Sequence, residues 1–116
     1  MWGMHPSPRP GPPYVPTTCL VNHAGDIGVA ESRDGGATWR HLGLALDEPW
    51  HLSYPFIFQY QGRMYMVPEG YGSSALRLYR AVDFPLRWEF DRVLVDRPLI
   101  DTSLFEWEGR WWMLTS

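Results

Sequence analysis

The sequence predicts an all-β fold, a β-propeller of four-stranded antiparallel blades of which about two and a half are present. Three observations predict it: apolar residues alternate with period two between glycine turns, no window carries a convincing helical stripe, and one segment of the chain recurs. The 116 residues suffice for one domain at most. A hydrophobic content of 45% and an aromatic content of 16% exclude a disordered chain.

The first sixteen residues hold six of the eleven prolines and show no strand pattern. Such a tract favours polyproline II or disorder and cannot pair as a central strand. We therefore predict a proline-rich tail or linker over 1–16 and a partial propeller domain over 17–116. The start lacks the regions of a signal peptide, and no apolar stretch is long enough to span a membrane. A cytoplasmic location is the default expectation.

The most complete predicted blade covers residues 55–95. The best apolar candidate for a helix, residues 42–52, is interrupted by Pro49, so no helix is expected. Within the blade, aromatic and branched residues alternate with polar ones, which is typical of half-buried strands. The four strands are predicted at 56–60, 63–68, 76–82 and 88–95.

An internal repeat supports the blade assignment. Shifted by 47 residues, the segment 54–66 falls on 101–113, and a second match with a shift of 49 places 32–39 on 81–88. Four residues of the first match recur identically, namely Phe58, Gly62, Arg63 and Met66. One period accommodates four strands, as one propeller blade does. The blades are therefore predicted at roughly 17–46, 55–95 and 102–116.

Such an array would not close a propeller, which needs at least about four blades. An open array leaves apolar blade faces and a sheet edge uncovered. We therefore expect the sequence to be a fragment of a longer reading frame, completed by missing propeller blades or accompanied by a fused enzymatic domain. Completion by another chain is the alternative.

Residues 32–39 match the Asp-box pattern S-x-D-x-G-x-T-W, known from hairpins of sialidase-like and other propellers. The members of the pattern are Ser32, Asp34, Gly36, Thr38 and Trp39. We expect Asp34 to accept hydrogen bonds from turn amides, Gly36 to adopt a positive φ, and Trp39 to pack beneath the turn. The pattern favours a structural role, with Asp34 as a metal ligand or catalytic residue as the alternative.

Composition and charge exclude several functions. The net charge of −3 indicates no nucleic-acid surface, which is usually basic. All ten basic residues are arginines, so a Schiff-base lysine and a Walker-type phosphate loop are excluded. Cys19 is the only cysteine, which excludes an intrachain disulfide and a multi-cysteine zinc site. The four histidines lack the i, i+4 spacing of a zinc site, so we predict neither a metal nor a cofactor.

Several unusual strings occur in the order found in the N-terminal propeller of glucosamine inositolphosphorylceramide transferases. They are residues 27–34, 42–48, 50–55, 66–69, 77–81, 84–88 and 100–105. Over residues 25–116 the chain resembles this family and its bacterial relatives. The resemblance implies a five-bladed fold like that of glycoside hydrolase family 43, and a carbohydrate-associated domain attached to a transferase or similar enzyme.

The resemblance also implies acidic residues at the channel-facing start of each blade. Asp101 matches the carboxylate that tunes the general acid in family 43, whereas its repeat equivalent, Tyr54, cannot act as a general base near neutral pH. The Ala-Asp-Pro-Phe-like string that opens the preceding blade is absent, and residues 17–23 stand in its place. We therefore expect this chain to catalyse nothing itself and to bind a sugar-containing ligand.

Four polar residues are the candidate ligand contacts: His51, Tyr54, Glu69 and Asp101, the last two also as weak catalytic candidates. Each has a structural alternative: His51 as a buried, hydrogen-bonded histidine, Glu69 as a solvated rim residue, and Asp101 as a turn cap bonded to Ser103. Two other functions stay open for the full-length protein. One is a family 43-like glycoside hydrolase, and the other is a protein-interaction propeller with an apolar channel.

Overall fold

The computed structural model describes residues 14–21 and 24–116, and these residues are organised in β-strands and one short 3-10 helix. The strands are β1 (Tyr14–Val21), β2 (Ala24–Glu31), β3 (Arg40–Leu46), β4 (Ser53–Tyr60), β5 (Arg63–Glu69), β6 (Leu76–Asp83), β7 (Arg87–Val95), β8 (Ser103–Trp107) and β9 (Arg110–Leu114). The 3-10 helix covers Tyr71–Ser73. The all-β prediction is confirmed. No helix in the described ranges is long and apolar enough to cross a membrane.

The strands form three antiparallel sheets that follow one another along the chain. Their strand orders are β1-β2-β3, β4-β5-β6-β7 and β8-β9, so each sheet is a simple meander, as in a propeller blade. All four strands predicted for the middle blade are present. The first of them begins at Ser53 rather than at Phe56, because β4 continues beyond an interruption in its register between these two residues.

Strand β1 begins at Tyr14, inside the segment predicted as a proline-rich tail. Pro16 lies opposite Val29 in the β1–β2 pair. A proline lacks the amide hydrogen that a central strand needs, but β1 is an edge strand of the described sheet, where proline is tolerated. Residues 1–13 of the predicted tail lie outside the described residues.

The 47-residue repeat is a repeat of structure. The β4–β5 and β8–β9 hairpins have the same register, closed by the pairs Tyr60↔Arg63 and Trp107↔Arg110. Both two-residue turns have positive φ at both positions: 50° and 76° at Gln61 and Gly62, and 50° and 73° at Glu108 and Gly109. Such turns match the twist of the flanking strands. The glycine that recurs in the sequence therefore marks the same turn in both hairpins.

The second match of the sequence also corresponds to a shared contact. The Trp39 indole N–H donates to the Gly36 carbonyl at 3.0 Å, and the Trp88 indole N–H donates to the Pro85 carbonyl at 2.7 Å. The two tryptophans thus close the β2–β3 and β6–β7 hairpins in the same way. The β2–β3 hairpin of the first sheet corresponds to the outer hairpin of the second.

Apolar side chains pack between neighbouring sheets. One cluster joins the first two sheets and contains Ile27, Val29, Ala45, Leu46, Leu52, Met66 and Tyr79. A second contains Val67, Leu76 and Leu78, with partly buried residues of the third sheet, Leu104 and Met113, packed on it. Met66 and Val67 are adjacent on β5 and belong to different clusters, because successive side chains of a strand point to opposite faces. The middle sheet is therefore covered on both faces.

Candidate functional site

Two repeat-equivalent residues adopt a strained backbone conformation where the chain enters a new sheet. Tyr54, near the start of β4, has a φ of 44°, and Asp101, just before β8, has a φ of 54°. Left-handed conformations cost non-glycine residues about 1–3 kcal/mol, and they cluster at functional sites. Because the same strain occurs in two sheets, it belongs to the architecture of the repeat rather than to one irregular loop.

The structure brings two of the predicted site residues into contact. The Asp101 backbone N–H donates to Glu69 Oε2 at 3.3 Å. Glu69 is the last residue of β5 and lies opposite Ser53 of β4, which is adjacent to Tyr54. The Glu69 carboxylate thereby connects the end of the β4–β5 hairpin to the segment that leads into β8. Tyr54, Glu69 and Asp101 thus lie at the same end of the second and third sheets.

The Asp101 carboxylate is exposed and forms no hydrogen bond within the described residues. The alternative interpretation of Asp101 as a cap bonded to Ser103 is therefore wrong for this structure. Glu69 is partly buried, and its carboxylate accepts a hydrogen bond from a backbone amide. A rim residue surrounded only by solvent would have no such bond. Both side chains keep carboxylate oxygens without a hydrogen-bond partner among the described residues.

His51 lies in the segment between the first two sheets and contacts the start of β2. Its Nδ1 accepts the Gly25 backbone N–H at 3.0 Å, and the Leu52 N–H donates to the Gly25 carbonyl at 2.8 Å. With Nδ1 acting as the acceptor, the proton of the neutral ring is on Nε2. The side chain is hydrogen-bonded but exposed, so the expectation of a buried histidine is wrong. Its Nε2 forms no hydrogen bond within the described residues.

Two neighbouring carboxylates, those of Asp26 and Asp47, were not identified from the sequence. Asp26 is only 2% exposed and its Oδ1 has no hydrogen-bond partner in the described residues. Burial raises the pKa of Asp26, and the charge of Asp47 and a hydrogen bond with it raise it further, against an opposing effect of His51. The pairing of Ile27 with Leu46 brings the two aspartates together, since each is the next residue beyond that pair. Strand pairing was the signal that could have revealed them.

Replacing Asp26 with asparagine should flatten the pH dependence of stability. The folded chain binds the Asp26 proton more tightly than the unfolded chain, so this contribution is fully present below the ordinary pKa of 3.8 and is lost as the pH rises through the raised value. An asparagine side chain has no such proton to bind. Urea unfolding of the full chain between about pH 4 and pH 8 would measure this. Asp96→Asn, at an exposed loop position, is the control, and equal pH profiles for Asp26→Asn and the wild type would contradict the prediction.

The turn at residues 32–39 is held by its own side chains. Asp34 Oδ1 accepts from the Thr38 amide at 2.9 Å and from the Ser32 hydroxyl at 2.9 Å, while its Oδ2 accepts from the Thr38 hydroxyl at 2.5 Å. The Thr38 hydroxyl is the main cause that lowers the pKa of Asp34 to about 2, followed by the Thr38 amide and Ser32. Both carboxylate oxygens are therefore engaged within the turn rather than directed at a ligand.

Gly36 has the backbone conformation expected from the pattern, whereas Trp39 is less buried than expected. Gly36 has a φ of 96°, and its amide donates to the Ser32 hydroxyl at 2.8 Å. Trp39 lies against Gly36, yet 43% of its surface is exposed. A shallow cavity of about 250 Å³ adjoins it, lined by Glu31, Arg33, Thr38, Trp39 and Arg40.

In the part of the chain that the structure describes, no three His, Cys, Asp or Glu side chains are grouped to hold a metal ion.

Comparison with known proteins identifies the family. Residues 14–116 match the family model described as glucosamine inositolphosphorylceramide transferase 1, N-terminal. The chain is similar to proteins named glucosamine inositolphosphorylceramide transferase 1, with 60% identity over 103 residues in Oryza sativa subsp. indica and 48% over 103 residues in Arabidopsis thaliana.

Each alignment covers 89% of this chain and 14% of the relative, so the chain spans about one seventh of the length of these proteins. No solved structure matches, and the five-bladed, family 43-like architecture stays a prediction. The family model covers most of the chain, and 103 residues of the chain align with the relatives at 48–60% identity. The chain therefore belongs to the family of N-terminal regions of glucosamine inositolphosphorylceramide transferase 1.

Proposed function

We propose that the chain is a non-catalytic, glycan-binding part of a glycosyltransferase-like protein. The name of its relatives is that of a transferase acting with glucosamine and inositolphosphorylceramide, and both contain a hydroxyl-rich ring. In this proposal the ligand is bound by Tyr54, Glu69 and Asp101, with His51 contributing from the preceding segment. Carboxylates and an imidazole N–H suit sugar hydroxyls, which both donate and accept hydrogen bonds.

One observation carries the proposal: an exposed carboxylate with no hydrogen bond among the described residues lies next to Glu69, whose own carboxylate accepts the Asp101 amide. Asp101 keeps a φ of 54° although a relaxed conformation would cost less, and its amide is anchored on Glu69. An aspartate that stabilised the turn through its side chain would form a hydrogen bond within that turn. The anchored Asp101 instead presents its side chain to solvent.

Binding is favoured over hydrolysis by the residue at the equivalent place in the neighbouring sheet. Glycosidases use two carboxyl groups on either side of the scissile bond. In this proposal Tyr54, the repeat equivalent of Asp101, would occupy the place of the second carboxylate, and a phenol is not a base near neutral pH. A family 43-like hydrolase is therefore the second candidate for the full-length protein, and it requires a carboxylate from another segment.

The turn at residues 32–39 has a structural role in this proposal. We interpret it as an Asp box, because the Ser32, Asp34 and Thr38 side chains bond the turn to itself. The exposed aromatic side chains of the third sheet would be covered by additional propeller blades or a fused domain, since β9 corresponds to β5, which pairs with a further strand. The exposed large hydrophobic residues of this sheet are Phe105, Trp107, Trp111, Trp112 and Leu114.

Asp101→Asn and Glu69→Gln are expected to weaken sugar binding by about 1–3 kcal/mol each, because each leaves ligand hydroxyls without an ionised acceptor. Asparagine tolerates the left-handed conformation at residue 101, so the fold should be retained. Saturation-transfer NMR of the full chain with glucosamine, glucose and myo-inositol would measure binding, and melting temperature would report folding.

Asp96→Asn is the matched control, because Asp96 is also exposed between β7 and β8. It should leave binding and melting unchanged. Unaltered binding in both Asp101→Asn and Glu69→Gln would defeat the proposal. So would a large loss of stability in Asp101→Asn, since the side chain would then serve the fold.

A further inference from the structure

An arginine of the middle sheet lies over two aromatic rings. The guanidinium carbon of Arg77, in β6, is 4.8 Å from the centroid of the Trp50 ring and 5.0 Å from that of Phe90, in β7. Aromatic faces attract cations, and stacking orients the planar guanidinium. The group is therefore held in position before any ligand arrives.

The backbone of the loop after β5 holds the Trp50 ring in place. A Cβ on Gly70 would lie 3.0 Å from Trp50 Nε1, and one on Gly72 would lie 3.1 Å from Trp50 Cβ. The indole thus packs directly on the main chain of residues 70–72, where glycines leave it room. This contact adds to the rigidity of the Arg77 site.

Arg77 has no carboxylate partner among the described residues. The ion pairs of the described chain involve Arg33, Arg40, Arg80 and Arg92. The carboxylate of Glu48, near the same sheet face, accepts instead from the Tyr79 hydroxyl at 3.2 Å. Arg77 is nevertheless partly buried, and a cation withdrawn from water without a counter-ion is unfavourable. Its charge is therefore available to an anion.

Hydrogen-bond donors at the same place also lack acceptors. Arg77 Nε and Trp50 Nε1 are buried and have no partner in the described residues. The terminal nitrogens of Arg77 form no hydrogen bond there either, and they are not among the buried unpaired atoms, so they keep contact with solvent. An oriented guanidinium with an open edge can bind an oxyanion through two parallel hydrogen bonds.

We propose that Arg77, positioned by Trp50 and Phe90, binds a carboxylate or phosphate group through the open edge of its guanidinium. Two oxygens of the ligand accept from guanidinium nitrogens, and the aromatic rings exclude water from the faces of the pair. This site shares no residue with the sugar site proposed above.

The test is a titration of the full chain followed by NMR, with sodium phosphate, sodium acetate and sodium chloride at matched ionic strength. The indole N–H signal of Trp50, assigned by its loss in Trp50→Phe, and the Arg77 side-chain Nε–H signal are the readouts. We expect saturable shifts with phosphate, acetate or both, and none with chloride. A preference between the two titrants identifies the class of oxyanion.

Arg77→Lys keeps the charge but removes the planar fork, so it should weaken binding at least about tenfold. Arg80→Lys, on the same strand and paired with Glu89, is the matched control and should bind like the wild type. Glu69→Gln should also leave this titration unchanged, which separates this site from the sugar site. The absence of saturable shifts in the wild type overturns the proposal, as does equal affinity in Arg77→Lys. The wild-type titration decides the matter even if Arg77→Lys does not fold.

Discussion

Replacing Tyr79 with alanine is expected to destabilise the full chain by about 3–5 kcal/mol, as for other large buried aromatic residues. Tyr79 is 1% exposed and is the largest fully buried side chain of the described residues. It lies in the cluster between the first two sheets and contacts the Phe90 ring edge-on at a centroid distance of 5.9 Å. Its removal would open a cavity between two sheets that each need this contact. Urea unfolding of the variant and the wild type would measure the loss.

Tyr79→Phe is the matched control, because it retains the ring and removes only the hydroxyl. That hydroxyl donates to Glu48 Oε2 at 3.2 Å, and its loss should cost about 1 kcal/mol. Burial, and then the charge of Glu48, raise the pKa of Tyr79, so the hydroxyl remains a donor over the whole range in which the chain can be studied. Equal destabilisation by the two substitutions would show that the hydrogen bond, and not the packing, dominates at this position.

Gly25→Ala is expected to lower the free energy of unfolding by about 1–3 kcal/mol, the usual cost of overpacking, because the added methyl group would lie between the first two sheets. A Cβ at this position would lie 2.4 Å from His51 Cε1 and 2.7 Å from the Leu52 backbone oxygen. The Leu52 N–H donates to the Gly25 carbonyl at 2.8 Å, so the two segments cannot move apart to relieve the clash without losing this hydrogen bond. A lower urea midpoint with an unchanged slope is the expected measurement.

The double variant Gly25→Ala/His51→Ala separates the two causes of this clash. Removing the imidazole relieves the side-chain contact but leaves the contact with the Leu52 oxygen, so the rescue should be partial. Gly62→Ala serves as a second control, because a Cβ there meets nothing within 4 Å and only the positive φ of 76° opposes it. Full rescue by His51→Ala would mean that the backbone contact is unimportant.

The position of the ligand candidates depends on both the repeat and the packing. The repeat predicted that Tyr54 and Asp101 are equivalent, and their backbone conformations agree, with φ of 44° and 54°. It did not predict the contact of the Asp101 amide with Glu69, because that contact crosses from one sheet to the next. Nor did it predict that His51 would be exposed and would accept a hydrogen bond from the Gly25 amide.

Strand alternation, turn glycines and the internal repeat are local properties of the chain, and they were sufficient for the all-β, propeller-like class and for the four strands of the middle sheet. The turn at Gln61 and Gly62 could be recognised in the same way, since two-residue hairpins demand particular residues. The start of β1 at Tyr14 could not, because a proline is acceptable in a strand only if that strand lies at an edge, which is a property of the sheet.

Charge and burial were decided by tertiary structure alone. Burial and then Asp47 raise the pKa of Asp26, and Arg77 becomes a candidate binding group only because its guanidinium lies over the rings of both Trp50 and Phe90. Both arrangements bring together residues that are distant in sequence. The alternation within a single strand does not indicate which sheets will face one another. The pKa of an ionisable group depends on its burial and its neighbours as much as on its own chemistry. The sequence therefore predicted the scaffold, whereas the packing of the sheets decided the properties of its ionisable side chains.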